Sequence, residues 1–299
     1  MLDAGRSGAR TTGAAALVSP RWHDGKRQRA EARDVGDHPA MPIDPELIHA
    51  LHLSVEDHEA ALTDHAAAHH VFQTSTVQAL IDSRYEGDLT IAELLAHGDL
   101  GLGTLDGLDG ELVVIAGEAY VARADGSVSP VPDDTRTPFA VVTPFAPDPP
   151  VHVESLDHEE LLAALDAHST VPVQAVRVSG RFSRLRVRSV PKQQVPYPPL
   201  DDVVTTQVEW EIGPVNATLV GFRFPLLATG LEVPGWHLHA LAEDRCSGGH
   251  VLIADLERGT LELDAATEVH CELPPGVAIT RAADGIAERL RAAETRIRP

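Results

Sequence analysis

Residues Gly235 to Asp255 place the tightest constraint on what this chain can fold into. Two strand-like runs flank a turn, and three histidines sit where a hairpin would bring them together. Side chains alternate faces along a strand, so His237 and His239 point one way while Trp236 and Leu238 point the other. The stretch Asp244 to Gly249 is rich in turn formers, and Gly248-Gly249 is expected to supply positive φ where the chain reverses. His250 to Asp255 reads as the returning strand, which sets His250 beside the other two imidazoles. Three nitrogen donors converging from a rigid sheet suit Zn²⁺, and no obvious fourth protein ligand closes the site. An open coordination position points to catalysis more often than to a structural metal. In a chain with 16 histidines a lone His-x-His is weak, and the third histidine across the turn gives the pattern its weight. Cys246 lies in the turn and reads as a bystander thiol.

Composition narrows the class. At 299 residues the chain can bury a full core. Lys and Arg number 24 against 45 Asp and Glu, a formal charge of -21, which repels nucleic-acid phosphates and anionic membranes and excludes both as partners. Two cysteines, Cys246 and Cys271, make no disulfide framework and fit a reducing cytosol. No apolar run reaches the ~18 residues that a membrane span needs. The run Ala14 to Val18 is too short for a signal-peptide core. A cytoplasmic protein is expected.

Residues 1–40 are Gly-, Ala- and Arg-rich without hydrophobic period and are expected to form a disordered tail. Met41 is an alternative start. Residues 41–70 are expected to be a helical extension whose scattered histidines lie on solvated faces. Residues 71–168 read as an N-terminal α/β domain. A strand at Val71 to Gln73 precedes a helix through Val77 to Ile81, capped by Thr74 or Ser75. Thr90 and Glu93 form a capping-box pattern for a helix to His97. Strands follow at Glu111 to Ile115, Ala119 to Arg123 and Ala140 to Phe145, and a helix at Glu159 to Ala167 is expected to separate two halves. The glycine-rich run Asp99 to Leu105 lacks the lysine and context of a phosphate loop. Residues 169–299 read as a β-rich zinc-binding domain: Val173 to Val178, Phe182 to Val187, Val203 to Ile212, Asn216 to Phe224, the histidine hairpin, Gly259 to Asp264, then a helix at Ala283 to Ala293. The fold class is α+β, with mixed or antiparallel sheets in two sheet-based domains and a few flanking helices.

Several stretches together resemble the acetolactate decarboxylase family. They are Phe72-Gln73-Thr74-Ser75-Thr76, Asp88 to Leu95, Gly98 to Thr104, Leu108 to Leu112, Thr137 to Ala140, Val187 to Pro191 and the histidine hairpin. The similarity runs from about Val71 to the C-terminus. It implies a cytosolic, commonly dimeric zinc enzyme that converts 2-acetolactate to acetoin and CO₂. On this resemblance the zinc ligands fall on His237, His239 and His250. The catalytic arginine falls on Arg188, catalytic glutamates on Glu111 and Glu294 (with Glu288 as the alternative alignment), and a pocket position on Thr104.

The residues make sense of such chemistry. Losing CO₂ from a 2-hydroxy-3-keto acid leaves an electron pair that must flow into the ketone, giving an enediolate. A Zn²⁺ held by neutral imidazoles keeps its full charge and can chelate the ketone and hydroxyl oxygens. An arginine can hold the departing carboxylate, and a buried glutamate can protonate the enediolate on one face. Without the resemblance, Arg188 would read as one more solvated charge beside Arg177, Arg181, Arg184 and Arg186, and Glu111 as a turn-adjacent surface carboxylate. Glu294 would read as an exposed residue near a helix end. Two other classes compete: a zinc hydrolase on the same three histidines, and a non-catalytic zinc-stabilised sheet protein that binds an acidic metabolite.

Overall fold

The computed structural model describes residues 51, 53–57, 69–277, 279, 285–288 and 290. The strands run in chain order as β1 (Leu53–Asp57), β2 (His70–Thr74), β3 (Leu89–Thr90), β4 (Leu100–Thr104), β5 (Glu111–Ile115), β6 (Glu118–Ala122), β7 (Val128–Pro130) and β8 (Arg136–Thr137). They continue as β9 (Phe139–Thr143), β10 (Val151–Leu156), β11 (Gln174–Ser189), β12 (Val208–Ile212), β13 (Val215–Phe224), β14 (Gly235–Ala242), β15 (Gly248–Ala265) and β16 (Glu268–Leu273). The helices are α1 (Val77–Ile81), α2 (Ile91–Leu95), α3 (His158–His168) and α4 (Leu200–Thr205).

Two sheets carry the fold, which is α+β with mixed and antiparallel pairing. The first has the order β1-β16-β2-β9-β4-β5-β6-β7, parallel at β1–β16–β2 and antiparallel elsewhere. The second has the order β10-β15-β14-β13-β11-β12, and an extra β11–β15 pairing closes β11, β13, β14 and β15 into a ring. Alternation decides what lies between the sheets. Val113 and Ile115 of β5 face the same core as Val220 and Phe222 of β13 and Leu241 of β14. Their neighbours Leu112 and Val114 turn to the opposite face, where Ile91 and Leu94 of α2 cover them. On the second sheet, Leu219, Leu238 and Ala240 share a core with Leu161 and Leu165 of α3. Each fully buried side chain of this size contributes ~1.5–3 kcal/mol, so the packing that joins the sheets is strongly stabilising.

Local signals formed the elements they predict. Thr90 caps α2 in a complete capping box with Glu93, while Thr76 caps α1 in place of Thr74 or Ser75. Elsewhere distant pairing overrides local texture. The segment expected to be a helical extension contains β1, because Leu53 to Asp57 pairs with the edge of the first sheet at Val269 to Leu273. Val203 to Ile212 is not one strand: α4 occupies Leu200–Thr205, following Pro199, with Asp201 and Asp202 favourable in its first turn. The expected strands Val173 to Val178 and Phe182 to Val187 are one continuous β11, and Gly259 to Asp264 is the far end of β15. Helix α3 does not separate two halves but packs on the second sheet, where Leu161 and Leu165 are fully buried. Sheet membership does not change at residue 168, since β10 joins the second sheet and β16 returns to the first. Of the expected final helix, residues 286–288 and 290 are described and helical. Glu294 and residues 1–40 lie outside the described residues.

The hairpin turn meets the expectation in part: Gly249 has positive φ, but neither glycine sits at the reversal itself. Arg245 supplies the left-handed residue at the reversal, with φ 60°, and the two glycines already belong to β15. Their role is close approach. A Cβ on Gly248 would stand 2.5 Å from the Ala240 carbonyl oxygen, and one on Gly249 would stand 2.7 Å from the Arg188 carbonyl oxygen. Gly249 also has φ 141°, so a side chain there is strained twice. Gly249→Ala is expected to cost about 1–3 kcal/mol, lowering Tm by several degrees. Gly126→Ala is the control, because Gly126 has positive φ but open space around it. Thermal unfolding that shows Gly249→Ala no worse than Gly126→Ala would refute the close-approach account.

Candidate active site

The three histidines meet where the two sheets face each other. His237 and His239 lie opposite Phe222 and Val220 across the β14–β13 pair, so they share the face turned towards the first sheet. His250 is the direct cross-strand partner of His239, and Arg188 of β11 is the direct partner of His250. Three adjacent strands therefore carry Arg188, His250 and His239 in one row, with His237 one step along. From the facing sheet, β5 brings Glu111 beside Thr104 of β4.

Distances make this a single cluster. One ligand atom from each of His237, His239 and His250 falls within 4.8 Å of the others, and all three side chains are buried. His237 Nε2 is 3.2 Å from His239 Nε2. Two nitrogens at ~2.0–2.1 Å from a tetrahedral ion stand ~3.3 Å apart, so the donor set fits a metal ion. The Leu112 carbonyl lies 2.8 Å from His239 Nδ1, which makes that nitrogen the donor and leaves Nε2 as a lone pair. Burial first, then the neighbouring His237, hold the His239 imidazole well below the ordinary value of 6.5, so it is neutral at physiological pH. Glu111 Oε2 is 3.4 Å from His239 Nε2, and Glu111 Oε1 is 3.7 Å from Arg188 Nη1. On the outer side of the cluster, the buried Glu232 reaches to 3.6 Å from His237 Nδ1.

Arg188 differs from its neighbours by cover. Side-chain exposure along that face of β11 falls from 46% at Arg184 to 26% at Arg186 and 7% at Arg188. The outer arginines pair with Asp255 and Glu209, as solvated strand charges do, while Arg188 passes beneath the first sheet to Glu111. Glu111, which reads as a surface residue from its neighbours alone, is buried. A cavity of about 90 Å³ opens on the three histidines, Glu111, Arg188 and Thr104, with Val77, Leu80, Leu108, Phe139 and Val190 among its apolar walls. Thr104 Oγ1 donates to the Gly110 carbonyl at 2.8 Å, fixing the loop before Glu111. Leu290 also lines the cavity. The structure thus brings together His237, His239, His250, Arg188, Glu111 and Thr104. Glu232 carried no signal in the sequence, since its neighbours Leu231 and Val233 are ordinary core residues.

The fold and cluster define a class: a two-sheet α+β protein with a small, largely apolar cavity where three imidazoles able to hold a metal ion face an acid and a guanidinium. Comparison with known proteins gives the family. The sequence model of alpha-acetolactate decarboxylase matches residues 71–281. The alpha-acetolactate decarboxylase of Methylococcus capsulatus is 43% identical over 213 residues, covering 69% of this chain and 80% of that protein. The Bacillus subtilis enzyme of the same name is 36% identical over 208 residues, covering 68% and 81%. The crystal structure of alpha-acetolactate decarboxylase from Bacillus subtilis strain 168 superposes with a TM-score of 0.72 at 32% identity, over 76% of this chain and all of that one. A Staphylococcus aureus protein described as similar to alpha-acetolactate decarboxylase gives 0.71 at 30% identity. The chain belongs to the alpha-acetolactate decarboxylase family and is an enzyme of the carboxy-lyase class.

Proposed function

We propose that this enzyme is zinc-dependent and converts 2-acetolactate to acetoin and CO₂, working in the cytosol as a homodimer. The observation that carries the reading is the meeting of three buried imidazoles with the Arg188–Glu111 pair in one small cavity. His237, His239 and His250 would hold the ion, and three neutral nitrogen donors suit Zn²⁺. When bound, it supplies Lewis-acid stabilisation of the negative charge that reaches the ketone oxygen as CO₂ departs.

The chain's own residues supply the rest. Arg188 offers a fixed guanidinium for the substrate carboxylate, and that attraction fades as the carboxylate becomes neutral CO₂. The apolar walls exclude water, which strengthens every charge interaction inside and favours loss of a charged carboxylate as a neutral gas. Glu111 then delivers a proton to the carbon that carried the carboxylate, on the face it occupies. Glu294 is a second candidate for this role. Thr104 shapes the wall beside Glu111. No helix among the described residues is long and apolar enough to cross a membrane.

The direct test is acetoin and CO₂ formation from racemic acetolactate. Chelation is expected to abolish turnover and zinc add-back to restore it. Turnover that survives complete metal removal would refute the zinc reading, and hydrolysis of simple esters without CO₂ release would refute the decarboxylase reading.

A further inference from the structure

A carboxylate with no solvent exposure needs an explanation, and Glu232 has none in the reaction described so far. One of its oxygens, Oε2, accepts the backbone N–H of Val233 at 2.7 Å. The other, Oε1, is fully buried, makes no hydrogen bond among the described residues, and points at His237 Nδ1 from 3.6 Å. Burying a carboxylate with half its acceptor capacity unmet is costly unless something repays it elsewhere.

We propose that Glu232 is a positioning residue that fixes the tautomer of His237. This inference rests on the metal-site reading above and deepens it. A carboxylate opposite Nδ1 is favourable only if that nitrogen carries the proton, which leaves His237 Nε2 as a bare lone pair. The Leu112 carbonyl, 2.8 Å from His239 Nδ1, imposes the same tautomer on His239. Two lone pairs then face each other across 3.2 Å. Without Glu232, His237 could take the other tautomer and donate Nε2–H to His239, a stable arrangement that shuts the site to any ion. Glu232 forbids that escape, so both lone pairs stay turned towards a position that a cation can fill. Its negative charge, reaching the ion through the imidazole, also strengthens the ligand.

The test is Glu232→Gln, whose amide can turn either its oxygen or its NH₂ towards Nδ1 and so no longer dictates the tautomer. Zinc affinity, measured by competition with a chromophoric chelator, is expected to fall 10–100-fold. The metal-free variant is expected to melt at or above the wild-type temperature, because a poorly satisfied buried charge has been removed. A purely structural Glu232 would give the reverse pattern, with metal-free Tm lowered and affinity within twofold of wild type, and that result overturns the proposal. A second measurement needs no variant: imidazole ¹⁵N spectra of the metal-free wild type are expected to show His237 protonated at Nδ1, and a proton on Nε2 also overturns it. If the wild type binds zinc tightly while Glu232→Gln binds it equally well, only this inference fails. If the wild type binds no metal, the site reading fails with it.

Discussion

His239→Ala is expected to lower kcat/KM on acetolactate by on the order of 10³-fold or more and to leave the purified protein without stoichiometric metal. Lewis-acid stabilisation is worth several kcal/mol in the transition state, and each ~1.4 kcal/mol is tenfold in rate. Among the three imidazoles, His239 occupies the junction of the site. Its Nε2 lies within 3.4 Å of both His237 and Glu111, its Nδ1 is tied to the facing sheet through Leu112, and it is 1% exposed. Burial keeps it neutral and therefore ready to bind a cation. Removing it also deletes the buried hydrogen bond to the Leu112 carbonyl, at about 0.5–1.5 kcal/mol. Unfolding and loss of function are thus separable. The variant should remain folded with a lowered Tm, and excess zinc should not restore its rate. Wild-type turnover by His239→Ala would remove the basis for a metal-centred reaction.

What was legible in the sequence follows the distance over which each contact acts. The hairpin was legible because His239 and His250 are close in the chain and strand alternation settles which side chains share a face. The Thr90–Glu93 capping box is local in the same sense. Arg188 and Glu111 were identified by resemblance, because nothing within a few residues of either shows that it is covered. Arg188 becomes special through a β11–β15 register that includes several irregularities, and Glu111 through the docking of one sheet on the other. The misreadings share this cause. Leu53 to Asp57 is a strand because of a partner more than two hundred residues away, and the Gly248-Gly249 pair is small because two neighbouring strands crowd it. Glu232 was invisible for the same reason, since only the folded chain brings it up behind His237.

That geometry also makes the role of Glu111 separable from metal binding. Glu111→Gln keeps the shape of the side chain and all three imidazoles, so metal content is expected to stay at wild-type level while kcat falls about 10²–10⁴-fold, the usual contribution of a positioned proton donor. KM should stay near the wild-type value, because the protonated acid and the amide are both neutral and of the same shape, so Arg188 Nη1, 3.7 Å from Glu111 Oε1, keeps its hold on a substrate carboxylate. The decisive readout is stereochemical. Glu111 approaches the cavity from the first sheet, opposite the row of Arg188, His250 and His239, so a proton from it reaches one face of the planar enediolate. Without that donor, solvent protonates either face, so the wild type is expected to yield one acetoin enantiomer in excess and Glu111→Gln a largely racemic product. A slower Glu111→Gln enzyme that still makes acetoin of wild-type optical purity would mean that the proton arrives from elsewhere. Glu294 would then be the carboxylate to substitute next, and Glu111 would be left with the electrostatic task of holding Arg188 in line with the three histidines.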